Sequence, residues 1–175
     1  MGIRLPSRAR LKRWTLDIAV FLAVFLAIQA WQQRDIPSGK APQTGGYLAD
    51  GTAFCLRDWF EKHPHEKVVA LHFWADWCPI CKQEQGSVTS LAKDWPVITV
   101  AMQSGKANAI NAYMKKEGLA WTTLVDDSGR ISSDYGLKGV PAFIVIDRNG
   151  RIRSVSTGYT TELGMRARLW WASLY

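Results

Sequence analysis

The sequence is short of the residues that mark several functional classes. Three cysteines in 175 residues are too few for a disulfide-stapled miniprotein. There are three histidines, His63, His65 and His72, and no H-E-x-x-H pair for a zinc hydrolase. No G-x-G-x-x-G or P-loop run is present, so nucleotide chemistry finds no support. No internal repeat or long low-complexity tract is visible. Acid is missing altogether from residues 1–13, which carry Arg4, Arg8, Arg10, Lys12 and Arg13. That cluster accounts for most of the net charge of +7, because from residue 18 onward 17 bases face 14 acids. A body this mildly basic is not the footprint of a nucleic-acid binder. With 47% hydrophobic residues the chain is not disordered as a whole.

An apolar run comes directly after the basic start. Residues 14–31 read WTLDIAVFLAVFLAIQAW, and 18–28 are apolar throughout. As a helix, eighteen residues reach roughly 27 Å, just enough for the hydrocarbon core of a bilayer. Trp14 and Trp31 stand where indole rings favour the membrane interface. Asp17, the one charge inside, lies four residues after Arg13 and can pair with it on one helix face. The positive-inside rule then puts residues 1–13 in the cytoplasm, a single transmembrane anchor at 14–31, and 32–175 outside. A cleaved signal peptide has the same grammar, but its best cleavage site, Ile28-Gln29-Ala30, has a bulky residue where a small one is preferred. Either reading places the body in an oxidising space such as a bacterial periplasm. Residues 32–45 are rich in Pro, Gly and Gln and read as a linker.

From 46 to 175 strands alternate with helices, which indicates an α/β sheet. Asp50-Gly51 predicts a hairpin between strands at 47–49 and 52–56. Asp58 and Glu61 predict a capped short helix over 59–63. Residues 68–74 (VVALHFW), 97–102 (VITVAM) and 142–147 (AFIVID) read as buried central strands. Helices are expected at 79–94, at 107–117 with Gly118 as cap, in a turn at 131–135, and from Thr160 or Thr161 onward. A short strand is expected at 122–125. Asn149-Gly150 turns the chain into a closing hairpin, which makes the sheet mixed.

The chemistry sits at Cys78-Pro79-Ile80-Cys81, between a strand and a helix. Pro79 suits the first helical position, so Cys78 falls at the N-cap. Its sulfur then faces unpaired N–H groups and the positive end of the helix dipole, which stabilise a thiolate. Cys81 lies nearly one turn on and can close a small disulfide ring, so one thiol attacks a partner disulfide and the other resolves the intermediate. Structural zinc would need four ligands, and no second cysteine pair exists. Cu(I) suits soft thiolates, and Cys78 and Cys81, with or without His72, could supply a copper-binding or copper-delivery site. A disulfide that merely stabilises a docking domain is the third reading.

These residues carry a resemblance. FWADWCPICKQE is similar to the thioredoxin active-site segment, with Trp77 before the first cysteine and Lys82 after the second. YGLKGVPAFIVIDRNGRI resembles that family's later proline loop and hairpin. The stretch from Cys78 to Pro141 exceeds that of a minimal thioredoxin, and the surplus at roughly 105–125 supplies one helix and one strand. With the N-terminal hairpin and the anchor, the chain resembles the membrane-tethered thioredoxin-like disulfide oxidoreductases of the bacterial envelope. These include cytochrome-maturation thioredoxins and the suppressor for copper sensitivity D group, which Pro79-Ile80 matches best. The resemblance implies a thioredoxin-like fold, no cofactor, cysteine-containing substrate proteins and an inner-membrane electron donor. It implies a cis Pro141 beside the redox pair, with the Val140 backbone open to an extended substrate. Trp77 would shield the disulfide.

His72 departs from the resemblance, since thioredoxins commonly carry a buried aspartate there. Imidazole titrates nearer neutrality and can serve Cys81 as a base, or it is a hydrogen-bonded core residue. Glu84 is read as a solvated helix-face residue and Cys55 as an inert, partly buried thiol. His63-Pro64-His65 reads as a solvated loop, with weak copper binding as its alternative.

Overall fold

The computed structural model describes residues 39–175, together with residues 14, 17–21, 23 and 24. The last group is helical and exposes Trp14, Ile18, Val20, Phe21 and Val24. Among the described residues no helix is long and apolar enough to cross a membrane. The rest of the expected anchor, and the linker up to 38, lie outside the described residues.

The domain is a five-stranded mixed sheet with helices on both faces. In chain order its elements are β1 (Gly45–Tyr47), β2 (Ala53–Cys55), α1 (Leu56–Lys62), β3 (Val68–Trp74), α2 (Pro79–Leu91), β4 (Val97–Met102), α3 (Ala107–Glu117), β5 (Thr123–Asp126), α4 (Arg130–Asp134), β6 (Ala142–Asp147), β7 (Ile152–Thr157) and α5 (Glu162–Ser173). The strand order is β5-β4-β3-β6-β7, with β1 and β2 as a separate hairpin. Strands β3, β4 and β5 run parallel; β6 and β7 are antiparallel to their neighbours. The inserted segment is thus α3 and the edge strand β5.

Why β3 sits at the centre follows from its side chains. All seven residues are buried, because both faces of the strand are covered. Alternation sends Val68, Ala70 and Trp74 into one core with α2, α3 and α5, and Val69, Leu71 and Phe73 into the other with α1 and α4. His72 shares the parity of Ala70 and Trp74, so it points at the face covered by α2.

Several boundaries differ from expectation, each for a physical reason. The first hairpin turns at Asp50-Gly51 as expected, but β1 ends at Tyr47, and beyond it Leu48 bridges Leu124 and Ala49 N–H donates to the Thr123 carbonyl at the edge of β5. Helix α1 starts at Leu56, three residues early, with Leu56 and Phe60 buried on one face. Its N-cap is Cys55, which makes no side-chain cap bond, and Asp58 lies in the first turn instead. Helix α2 ends at Leu91 and the chain turns through 92–94. Residues 39–45, within the stretch read as linker, are bound to the domain: Ile152 N–H donates to the Gly39 carbonyl and Ala41 N–H to that of Gly150. Gly118 does cap α3, at φ 67°. Thr161 caps α5 by accepting from Gly164 N–H.

Candidate active site

Cys78 leaves β3 by a three-residue turn and caps α2 in extended conformation, with φ −91° and ψ 108°. Its Sγ accepts a hydrogen bond from the Cys81 N–H at 3.1 Å, and Pro79 occupies the first turn. The two cysteines form a disulfide, with 5.3 Å between Cα atoms. Both are buried, at 3% and 2% exposure, so burial does not separate their roles; position at the helix end does. Val140-Pro141 is a cis peptide. The Val140 carbonyl oxygen lies 3.7 Å from Cys78 Sγ, and the Pro141 carbonyl accepts from Gly158 N–H at 2.8 Å, which ties this loop to the end of β7.

Behind the disulfide the structure corrects two expectations. Glu84 is not on a solvated face. It is 1% exposed, because Cys81, Glu84, Val88 and Leu91 form the inward stripe of α2. Its Oε1 accepts the Thr160 N–H at 2.5 Å, and its Oε2 lies 3.9 Å from His72 Nε2. Burial pushes the Glu84 carboxyl up to about 7, against the Thr160 bond, which lowers it. Burial also pulls His72 down to about 4, so it is not the near-neutral group of this pair. Neither ring nitrogen of His72 has a hydrogen-bond partner among the described residues. Their separation is that of an ion pair, yet each group shifts toward its neutral form at pH 7, and we read the contact as a neutral histidine beside a half-ionised acid.

The other named residues spread around this centre. Trp77 is 57% exposed and its Nε1 donates to the Gln103 carbonyl at 3.2 Å. Lys82 points outward, with Nζ 5.8 Å from the Tyr113 ring centre. Cys55 is exposed rather than partly buried, since among the described residues it lies on the open face of the short strand β2, opposite the buried Phe54. It lines a cavity of about 760 Å³ with Lys40, Arg57, Arg130 and Arg148, away from the disulfide. Among the described residues no group of three or more His, Cys, Asp or Glu could hold a metal ion, so His72 does not join Cys78 and Cys81 as a third ligand. His63 instead stacks on Trp59 and bonds its carbonyl through Nδ1. Thr160, Gln103 and Ser104 gave no local signal in the sequence; the 81-84-88-91 spacing could have revealed Glu84.

A thiol pair at a helix N-cap, a cis-proline loop beside it and a buried acid behind it define a thiol–disulfide oxidoreductase. The chain belongs to the Redoxin family, whose model matches residues 36–168. It is 31% identical over 147 residues to a thiol:disulfide interchange protein DsbE homolog of Paracoccus denitrificans, covering 78% of this chain and 79% of that one. It is 29% identical over 126 residues to a thioredoxin-like protein of Haemophilus influenzae, covering 71% and 72%. The fold matches that of a thiol:disulfide interchange protein of the thioredoxin family from Chlorobium tepidum, with TM-score 0.62 at 23% identity over 79% of this chain and 99% of that one.

Proposed function

We propose that the chain is a membrane-anchored reductase or isomerase of protein disulfides that faces the bacterial periplasm. An inner-membrane electron donor keeps it reduced. The observation that carries the exchange chemistry is Cys78 Sγ at the N-cap of α2, accepting the Cys81 N–H beside the Val140 carbonyl. In the reduced protein the Cys78 thiolate attacks one sulfur of a partner disulfide, and the other partner sulfur leaves as a thiolate that takes up a proton. Cys81 then loses its proton and attacks Cys78 Sγ in the mixed disulfide. The Cys78–Cys81 bond forms, the partner's second sulfur leaves, and two electrons have passed to the partner. Glu84, three residues beyond Cys81 on the same helix face and titrating near neutrality, is the group suited to take the Cys81 proton. His72 tunes that acid by filling the space beside it with an uncharged ring.

The location rests on the basic 1–13 segment and the apolar 14–31 run, whose described part is helical and exposes apolar side chains. The direction rests on the dipeptide between the cysteines. Pro79 and Ile80 bring no cation to the sulfur, and Pro79 has no N–H to offer it. A moderately favoured thiolate puts the potential between that of a reducing thioredoxin at about −270 mV and a strong oxidant at about −120 mV. Rapid alkylation of intact cells tests this. Cys78 and Cys81 are expected as thiols while the donor is present and as a disulfide when it is removed. A protein fully oxidised in healthy cells that also oxidises a reduced substrate contradicts the proposed direction.

A further inference from the structure

Two residues that the exchange chemistry does not use hold the turn in front of Cys78. Asp76 N–H donates to Ser104 Oγ at 3.1 Å, and the Trp77 indole N–H donates to the Gln103 carbonyl at 3.2 Å. Ser104 is buried and its hydroxyl donates to the Met102 carbonyl at 3.1 Å. Gln103 is the one non-glycine residue with positive φ among the described residues, at 47°. Side chains other than glycine rarely take that conformation. It is held from both sides: Gln103 N–H donates to the Asp126 carbonyl at 2.8 Å, and the side chain lies against Gly129, where an added Cβ would come within 3.2 Å of Nε2. Strained backbone of this kind collects at functional sites.

The indole so fixed is exposed, and other large apolar side chains on the segments that meet at the site are exposed or half-buried. Ile80 follows the nucleophile on α2 at 45% exposure, and Val140 is half-buried beside Cys78. Tyr159, 54% exposed, follows Gly158, whose N–H bonds the Pro141 carbonyl. A free exposed tryptophan would sample rotamers and lose that freedom on binding; a tryptophan already held does not.

We propose that Gln103 is a positioning residue for substrate selection. Its left-handed carbonyl fixes Trp77 as one wall of an apolar rim around Cys78, and the rim favours partners whose reacting cysteine is flanked by large apolar side chains. The inference rests on the thiol–disulfide reading and names the substrate class for it.

The test uses the full chain in detergent micelles, reduced by dithiothreitol, and two disulfide-linked peptide dimers. One has Phe and Leu beside its cysteine, the other Ser and Gly. The wild type is expected to show the lower KM for the apolar peptide. Trp77→Phe, which keeps a ring but loses the N–H, and Gln103→Val, which disfavours φ 47°, each raise that KM about five-fold, the factor set by one hydrogen bond. In Gln103→Val the KM for the Ser/Gly peptide, kcat and the midpoint potential stay put. Gln103→Gly, free to adopt the left-handed conformation, restores what Gln103→Val loses. Equal shifts for both peptides, unchanged KM in Trp77→Phe, or a Gln103→Gly variant as impaired as Gln103→Val would overturn the proposal. If Gln103→Val does not fold, Trp77→Phe, at an exposed position, decides alone. A wild type that reduces neither peptide refutes the oxidoreductase reading instead.

Discussion

His72 Nε2 lies 3.9 Å from Glu84 Oε2, both side chains are buried, and Glu84 shares the inward stripe of α2 with Cys81. Neither titrates at its ordinary value, though only Glu84 changes its predominant form at pH 7. Glu84 is raised to about 7 and His72 lowered to about 4, each chiefly by desolvation.

The two shifts act on stability with opposite sign. Glu84 binds its proton more tightly when folded, so its contribution is full below pH 4.5 and is lost as pH rises toward 7. His72 binds its proton less tightly when folded, so its contribution is full above pH 6.5 and is lost as pH falls toward 4. Between about pH 4.5 and 6.5 the slopes oppose each other, each at most about 1.4 kcal/mol per pH unit. Relative to the wild type, Glu84→Gln should therefore gain stability as pH rises through this window, and His72→Phe should lose it. Urea unfolding at several pH values measures both. Parallel curves for all three proteins would mean that the pair does not titrate as described.

Removing the acid should also act on one kinetic step. Glu84→Gln should slow resolution of the mixed disulfide by roughly 10²-fold or more at neutral pH, the range of a lost general base, while its formation by Cys78 changes little. His72→Ala should slow resolution less than Glu84→Gln. Stopped-flow kinetics with a thiol-reactive disulfide separates the steps. A loss of thermal stability with unchanged resolution would make the pair structural only.

How far the sequence was legible depends on whether the information was local. The CPIC run, Pro79 as the first helical residue and the continuous apolar strands β3 and β6 each announce themselves within a few residues. Gly118 and Thr161 do so as caps. The acid behind the disulfide did not, because Glu84 owes its burial to the Thr160 loop, 76 residues away, closing over it. A charged residue at i+3 reads as solvated until something covers that face. His72 was found by its place in the strand, but its shift comes from complete burial, which no neighbour in sequence reveals. The first hairpin was legible from Asp50-Gly51, but not the end of its first strand, where Leu48 and Ala49 also meet β5 across more than seventy residues.

Position along α2 should decide which thiol reacts first. With the exposed Cys55 replaced by serine, limited alkylation of the reduced protein should modify Cys78 before Cys81, since Cys78 caps the helix N-terminus and faces its N–H groups. Peptide mapping reports the order. Preferential labelling of Cys81 would reverse the roles.

The topology is open to a direct check. An alkaline phosphatase fusion after Gly45 should be active, because five bases precede the apolar run and few come soon after it. An inactive fusion, with an active cytoplasmic reporter at the same point, would reverse the orientation.

The central claim is that Cys78 exchanges disulfides with proteins and Cys81 releases them. Replacing Cys81 by alanine removes the resolving thiol and leaves the nucleophile. Expressed in cells as the full chain, this variant should accumulate mixed disulfides that vanish on reduction and that Cys78→Ala abolishes. Mixed disulfides carried by Cys55, or none at all while the variant is folded and present, would contradict the account.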